Sequence, residues 1–481
     1  MNKNLSAVSF IVILLSLGLT ENVMAKVTNK TLVTYLAPAG AELNRDYTVH
    51  VTQNGSTWME SPCYLVLVDE VKNCKHNTEN SSISSFDFSG KVDVAVTYNK
   101  GTIDSVRIRP LSYGIKYRID KNTVYFTLDK PSNLSVEVNG DIFHNLQLFA
   151  NPLEENIPKK KDRNVMYFGP GIHTCDGDGF IIPSGKTVYV AGGAVLKNRL
   201  ILDGVHDVKI MGRGVIDYTV KEGIRIARSE NISVEGVVLT QIPVGNSNYV
   251  SICNVKSISY YGWGDGMNVF ASNHVQYDRV FCRNSDDCTT VYATRKGFSG
   301  GANDIIMQNS TLWADVAHPI FIGLHGNPEK PDTIQNLRYY NIDILDQNEH
   351  QVDYQGCLAI SAGDNNLVRN VVFDNIRIEN LREGQLVNLR TTYNKKYCHA
   401  PGRRIENVLF KDISYNGNKP NLSIICGYNE NRPIKDIRFE NLRINGKVIT
   451  DDMENKPSWY KTSDMAGFYV GENVESISFK K

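Results

Sequence analysis

Asn370-Val371-Val372-Phe373 is followed, five positions on, by Asn375-Ile376-Arg377-Ile378. Each segment is a short apolar or alternating run behind an asparagine, a residue that tolerates a left-handed backbone at a turn. The same texture recurs in segments opening at Asp207, Asn231, Asn254, His274, Asp304, Asn336, Asn407 and Asp436. With Asn370 included, the successive intervals are 24, 23, 20, 30, 32, 34, 37 and 29 residues. A repeat of roughly 20–50 residues denotes stacked units rather than one globule. Two to three short strands per unit without a helical period fit a parallel β-helix, in which equivalent positions of successive coils lie about 4.8 Å apart. The L-x-x-L-x-L frame of a leucine-rich horseshoe is missing, and the drifting intervals exclude a propeller.

Upstream the pattern differs. Between residues 27 and 150, strand-like runs occur at Tyr47–Val51, Tyr64–Val68, Val92–Val96, Ser105–Arg109, Thr123–Thr127 and Leu134–Val138, separated by turn residues such as Asn54-Gly55 and Asn139-Gly140. Short strands at this spacing predict an antiparallel sandwich. Residues 151–164 carry charge and proline and read as a linker, and residues 165–481 as the β-helix. The fold class is therefore all-β, which suits a chain of 481 residues, too long for one hydrophobic core.

Lys+Arg and Asp+Glu balance at 52 each, with no basic stripe, so a nucleic-acid partner is not expected. Residues 1–25 read as a secretory signal: Lys3, the apolar run Phe10–Leu19, and Val23-Met24-Ala25 before the cut. A secreted or periplasmic monomer without a membrane span is expected. Nine scattered cysteines without a C-x-x-C pair argue against a metal site, and no cofactor is indicated. Cys63 and Cys74 bracket a hairpin-sized loop that an oxidising compartment would allow to close as a disulfide.

Chemistry concentrates between Trp263 and Gly326. Asp265 and Asp286 are one coil apart, Asp287 adjoins Asp286, and His318 falls in the next coil. Three carboxylates and an imidazole stacked on one face raise at least one carboxyl pKa. Glycoside hydrolysis by inversion needs such a set: a protonated carboxyl for the leaving oxygen and ionised ones to activate water.

The G-D-G, D-D and H-x-x-x-I-G elements resemble the pectin-cleaving polygalacturonases, whose clefts are lined by three such aspartates and a histidine. The mature chain as a whole resembles the dextranase and isopullulanase family (glycoside hydrolase family 49-like), through Tyr167–Gly171, Val188–Val195 and Trp313–Gly323. That resemblance implies an N-terminal sandwich joined to a right-handed parallel β-helix. His318 departs from it, standing where that family carries Asp and the polygalacturonases carry His. The similarity implies Asp286 as general acid, Asp265 and Asp287 as holders of the attacking water, and His318 as a hydrogen-bonding partner near the acid. Trp263, Tyr292, Trp313 and His325 are candidate sugar contacts.

Polygalacturonases carry an R-I-K motif one coil after the histidine, to hold the substrate carboxylate. The matching region here, Gln347–Asp364, has neither Arg nor Lys. The expectation is a secreted inverting hydrolase of a neutral α-linked polysaccharide or oligosaccharide, dextran- or pullulan-like. The alternatives are a pectin hydrolase and, from another class, a non-catalytic glycan-binding β-helix.

Overall fold

The computed structural model of the chain describes residues 31–72, 75–418 and 420–481; the expected signal segment lies outside them. The described residues are nearly all β, with one short α-helix among them at Thr462–Ala466. No helix among the described residues is long and apolar enough to cross a membrane.

From Val165 onward the strands form a 20-stranded and an 11-stranded sheet, coil paired on coil in parallel. Leu337, Val371, Val408 and Ile437 occupy one column across four coils, all buried. Beside them Tyr339, Phe373, Phe410, Phe439 and Phe479 stack with centroids 5.4, 4.9, 4.7 and 4.8 Å apart. Each such aromatic contact contributes about 0.5–1.5 kcal/mol beyond area burial.

All nine residues that open the repeats have φ between 54° and 59°, the left-handed conformation expected of them. Side-chain amides tie successive turns: Asn336 Nδ2 donates to Asn303, Asn370 to Asn336 and Asn407 to Asn370, at 2.8, 3.0 and 2.8 Å. One assignment of the repeat is corrected. Ile232, Val250 and Val275 share a column, so the residue between Asn231 and His274 is Tyr249 (φ 55°), not Asn254. The coil steps there are 18 and 25 residues (249 − 231 and 274 − 249). An aromatic residue rarely adopts this backbone; here its ring stacks on His274 at 4.7 Å. Asn254 belongs to a second left-handed column that continues through Arg279 and Asn309.

Residues 32–152 form a six-stranded and a five-stranded sheet. All pairings are antiparallel except that of Leu146–Pro152 with Ser82–Phe88. The long strand Lys75–Phe88 escapes pattern reading because serine and asparagine dominate it. Two of its buried hydroxyls are bonded, Ser81 Oγ donating to the Asn145 carbonyl (2.9 Å) and Ser84 Oγ to Ser61 Oγ (2.8 Å), while Ser82 Oγ has no partner among the described residues. Cys63–Lys72 pairs with this strand, so Cys63 starts one arm of a hairpin rather than a small loop. Cys63 lies opposite Ser84 as a free, buried thiol, which contradicts the expected disulfide; Cys74 is outside the described residues.

The sandwich is docked on the β-helix, not merely tethered to it. Val66, Val68, Ile83, Phe143 and Phe149 pack against Val238, Ile258 and Phe281. Arg213 Nε meets both oxygens of Asp87 at 2.9 and 3.0 Å, and Arg109 Nη1 donates to the Leu345 carbonyl at 2.7 Å. Asn151, at the start of the expected linker, is the end of a strand and accepts from the buried Lys256 ammonium.

Candidate active site

Three adjacent strands of the 11-stranded sheet, Met267–Phe270, Thr289–Tyr292 and Ile320–Gly323, are each preceded by a candidate residue two positions upstream: Asp265, Asp287 and His318. The pairings Met267↔Thr289 and Thr290↔Phe321 place these three in one column. The coil step is thus 22 residues (287 − 265), and Asp286 stands one position off the column. The reading that stacked Asp265 on Asp286 is corrected by that single residue, because side chains alternate along an extended chain.

The glycines flanking Asp265 are needed for close approach. A Cβ on Gly264 would lie 2.2 Å from Ser285 Oγ, and one on Gly266 would lie 2.5 Å from both Asn284 Oδ1 and the Cys288 carbonyl. The Asp265 turn is therefore pressed directly onto the Asn284–Cys288 turn of the next coil.

Hydrogen bonds fix the carboxylates. Asp265 Oδ2 accepts from Asn268 Nδ2 at 2.7 Å. Asp287 Oδ1 lies 2.6 Å from His318 Nδ1, and Oδ2 accepts from the Tyr292 hydroxyl at 3.1 Å. Asp286 Oδ1 accepts the Asp287 amide at 3.0 Å. His318 is fully buried, stacked on Phe321 at 4.2 Å, and its Nε2 faces the Tyr354 carbonyl. Both ring nitrogens are occupied, so His318 positions Asp287; it was expected beside Asp286.

Burial and the nearby Asp287 raise the Asp265 carboxyl to about 7. Burial, then Asp265 and Asp287, pushes Asp286 well above the usual carboxylate range. Asp286 is nonetheless partly accessible from the cleft, so it is a protonated acid that a ligand can reach. These shifts carry a stability consequence. A carboxyl whose folded pKa exceeds its unfolded value costs stability as pH rises through the interval. Asp265→Asn is therefore expected to raise the urea-unfolding midpoint above about pH 7 and to leave it unchanged below about pH 4. A gain of equal size at both pH values would contradict the shift.

The cleft measures about 420 Å³ and is lined by Asp265, Asp286, Asp287, Glu349, Arg295 and Trp263, among others. A larger hollow of about 650 Å³, in the sandwich around Trp58 and Tyr125, gathers no comparable cluster of carboxylates. Trp263 is 81% exposed at the cleft rim, a free face for a sugar ring. Tyr292 and His325 also line the cleft. Burial, with Arg295 and Lys296 nearby, lowers the His325 pKa to about 3, which leaves a neutral imidazole. Trp313 is not at the site: it is fully buried between the guanidinium groups of Arg109 and Arg283, at 4.3 and 4.0 Å. It serves the interface with the sandwich.

Sequence reasoning did not single out Glu349, Arg295, Tyr354, Tyr397 or His76. Arg295 follows Tyr292 by three residues and its guanidinium lies 4.5 Å over that ring. It forms no ion pair within 4.0 Å among the described residues. Proximity to the D-D turn was the available signal for Arg295. His76 offered none.

Residues 121–463 match the family model described as glycosyl hydrolases family 28. Two curated relatives, both named probable endo-xylogalacturonan hydrolase A and both from Aspergillus fumigatus strains, are 23% and 22% identical over 278 residues, 51% of this chain. The chain spans about 65% of the length of those relatives. Among solved structures, Dex49A from Penicillium minioluteum is similar with a TM-score of 0.56 and 14% identity, over 92% of this chain and 96% of that one. That likeness concerns the fold alone, the parallel β-helix included.

Proposed function

The chain belongs to glycosyl hydrolases family 28, and from that premise we propose that it hydrolyses an α-linked glycan by inversion. The observation that carries the proposal is Asp286, reachable from the cleft, with its carboxyl held protonated beside two further carboxyls. Asp286 donates its proton to the leaving glycosidic oxygen. Asp265 and Asp287 hold the water that attacks the anomeric carbon from the opposite face. His318 and Tyr292 fix Asp287 for that task. An exported location belongs to the same reading, since a polymeric glycan is met outside the cytoplasm.

For the substrate, Arg295 favours a glycan that carries carboxylates, of the galacturonan type named for the curated relatives. Its guanidinium is in the cleft without a carboxylate partner within bridging distance among the described residues, and a uronate would supply one. Gln347–Asp364 supplies no cation, but the cleft draws one, Arg295, from another coil. The neutral α-glucan reading retains one support: Glu349, Gln351 and Tyr354 of that cation-free segment do line the cleft.

Reducing-end release should be compared on polygalacturonate, xylogalacturonan, dextran and pullulan, with NMR of the first anomer. The expected result is release from a galacturonan with a β-anomer first. Release from dextran or pullulan alone would move the assignment to neutral glucans, and a retained α-anomer would contradict inversion. Arg295→Ala is expected to raise KM on the galacturonan by about 10- to 100-fold, the cost of one charge-assisted contact, with kcat changed far less. An unchanged KM would remove Arg295 from substrate binding.

A further inference from the structure

The hairpin of Cys63–Lys72 and Lys75–Phe88 belongs to the sandwich, yet it reaches the catalytic cleft of the β-helix. His76 lines the same cavity as Asp265, Asp286 and Asp287. It lies opposite Val71 in the hairpin, and the side chain beneath it is Asp69, which is fully buried. Nδ1 of His76 sits 2.5 Å from Oδ2 of Asp69. The imidazole is 56% exposed, and Nε2 has no protein partner among the described residues. An imidazole pinned through Nδ1 to a buried carboxylate has a fixed ring plane and tautomer, and it presents Nε2 outward as a directed hydrogen-bonding group.

A surface histidine on a loose hairpin would mean little, but this one is held. The same strand carries Asp87, clamped by Arg213, and Ser81, bonded to the Asn145 carbonyl. Glu79, three residues beyond His76, lies 3.1 Å from His144 Nε2. Val66 and Val68 of the partner strand pack on the β-helix. The hairpin therefore stands on the cleft as a wall with a defined position.

On the reading of the cleft given above, we propose that Asp69 and His76 form a substrate-holding pair contributed by the sandwich. His76 Nε2 accepts a hydrogen bond from a hydroxyl of a sugar ring bound beside the scissile linkage, and Asp69 is the residue that positions it. The catalytic cleft is then composite: the β-helix supplies the reacting carboxyls and the sandwich supplies part of the substrate register.

The test compares the full-length wild type with His76→Ala, His76→Gln and Asp69→Asn, on oligosaccharides of the glycan that the wild type hydrolyses. KM, kcat, the positions of cleavage and the urea-unfolding midpoint are measured for each. His76→Ala is expected to raise KM by about 10-fold, to shift the cleavage positions and to keep kcat within about twofold; its unfolding midpoint should fall, because Asp69 is left buried without its imidazole. His76→Gln, which retains a side-chain acceptor oxygen at that reach, should recover part of the loss. Asp69→Asn should raise KM in the same direction while His76 is intact. An active wild type whose His76→Ala variant keeps KM and cleavage positions overturns this inference and leaves the proposed function standing. A wild type that releases no reducing ends from any glycan, or an Asp286→Asn variant of full activity, overturns the proposed function and this inference with it.

Discussion

Asp286→Asn is expected to lower kcat on a polysaccharide by about 10²- to 10⁴-fold, with KM close to wild type and the unfolding midpoint at neutral pH raised, as for Asp265→Asn. The amide matches the carboxyl in size and can still accept the Asp287 amide proton that Asp286 Oδ1 receives at 3.0 Å. It has no acidic proton to give. Burial, then the neighbouring Asp265 and Asp287, pushes the native carboxyl well above the usual carboxylate range, so the substitution takes a proton rather than a charge from the folded state, and packing should survive. The defect should also depend on the leaving group. An aryl glycoside whose phenol leaves without protonation should be hydrolysed by the variant at a rate much nearer wild type, because only the acid step has been deleted. A loss of the same size on both substrates would place Asp286 in another role, and full activity on the polysaccharide would end the assignment of this cleft.

The stacked architecture was legible because each coil has to turn, and the turn demands a left-handed residue that Asn and Asp provide. Tyr249 breaks that rule, and the repeat reading slid by five residues onto Asn254, the member of the second column. Hydrophobic pattern found the strands with apolar inner faces and missed Lys75–Phe88, where the buried serines Ser81, Ser82 and Ser84 interrupt the apolar signal and Ser81 and Ser84 are hydrogen-bonded. At the site, spacing brought Asp265, Asp286, Asp287 and His318 to one face but not to their register, since a shift of one residue is invisible to a period that varies from coil to coil. Trp313 was misread because an aromatic residue looks the same in a sequence whether a sugar or an arginine lies on its face. His76 precedes Asp265 by 189 residues (265 − 76). No local pattern connects them; only the docking of the sandwich does.

Beside the Arg213–Asp87 pair that crosses the interface, that docking leans on a buried ion pair within the β-helix, and breaking it is expected to cost about 3–5 kcal/mol. Arg283 and Asp315 are both fully buried, with Nε to Oδ2 at 2.8 Å and Nη2 to Oδ1 at 3.2 Å. Arg283 Nη1 also donates to Asn145 Oδ1 of the sandwich at 2.7 Å, and the guanidinium stacks on Trp313. Arg283 precedes Asp286 by three residues and Asp315 precedes His318 by three, so the pair bridges the two coils just below the catalytic turns. Arg283→Leu leaves the Asp315 carboxylate buried with only Arg382, at 3.3 Å, to offset it. The urea midpoint should fall accordingly at unchanged slope. Activity should fall too, because the Asn145 contact that ties the sandwich to the catalytic turn is lost with the guanidinium. The double variant Arg283→Leu/Asp315→Leu separates the two effects. It removes both charges, so most of the stability should return, while Arg382 keeps its bond to Asp346 at 2.7 Å. The tie to Asn145 does not return, so kcat/KM should stay low. If the double variant recovers activity together with stability, the sandwich only shelters the cleft; if stability returns alone, its placement is part of the catalytic geometry.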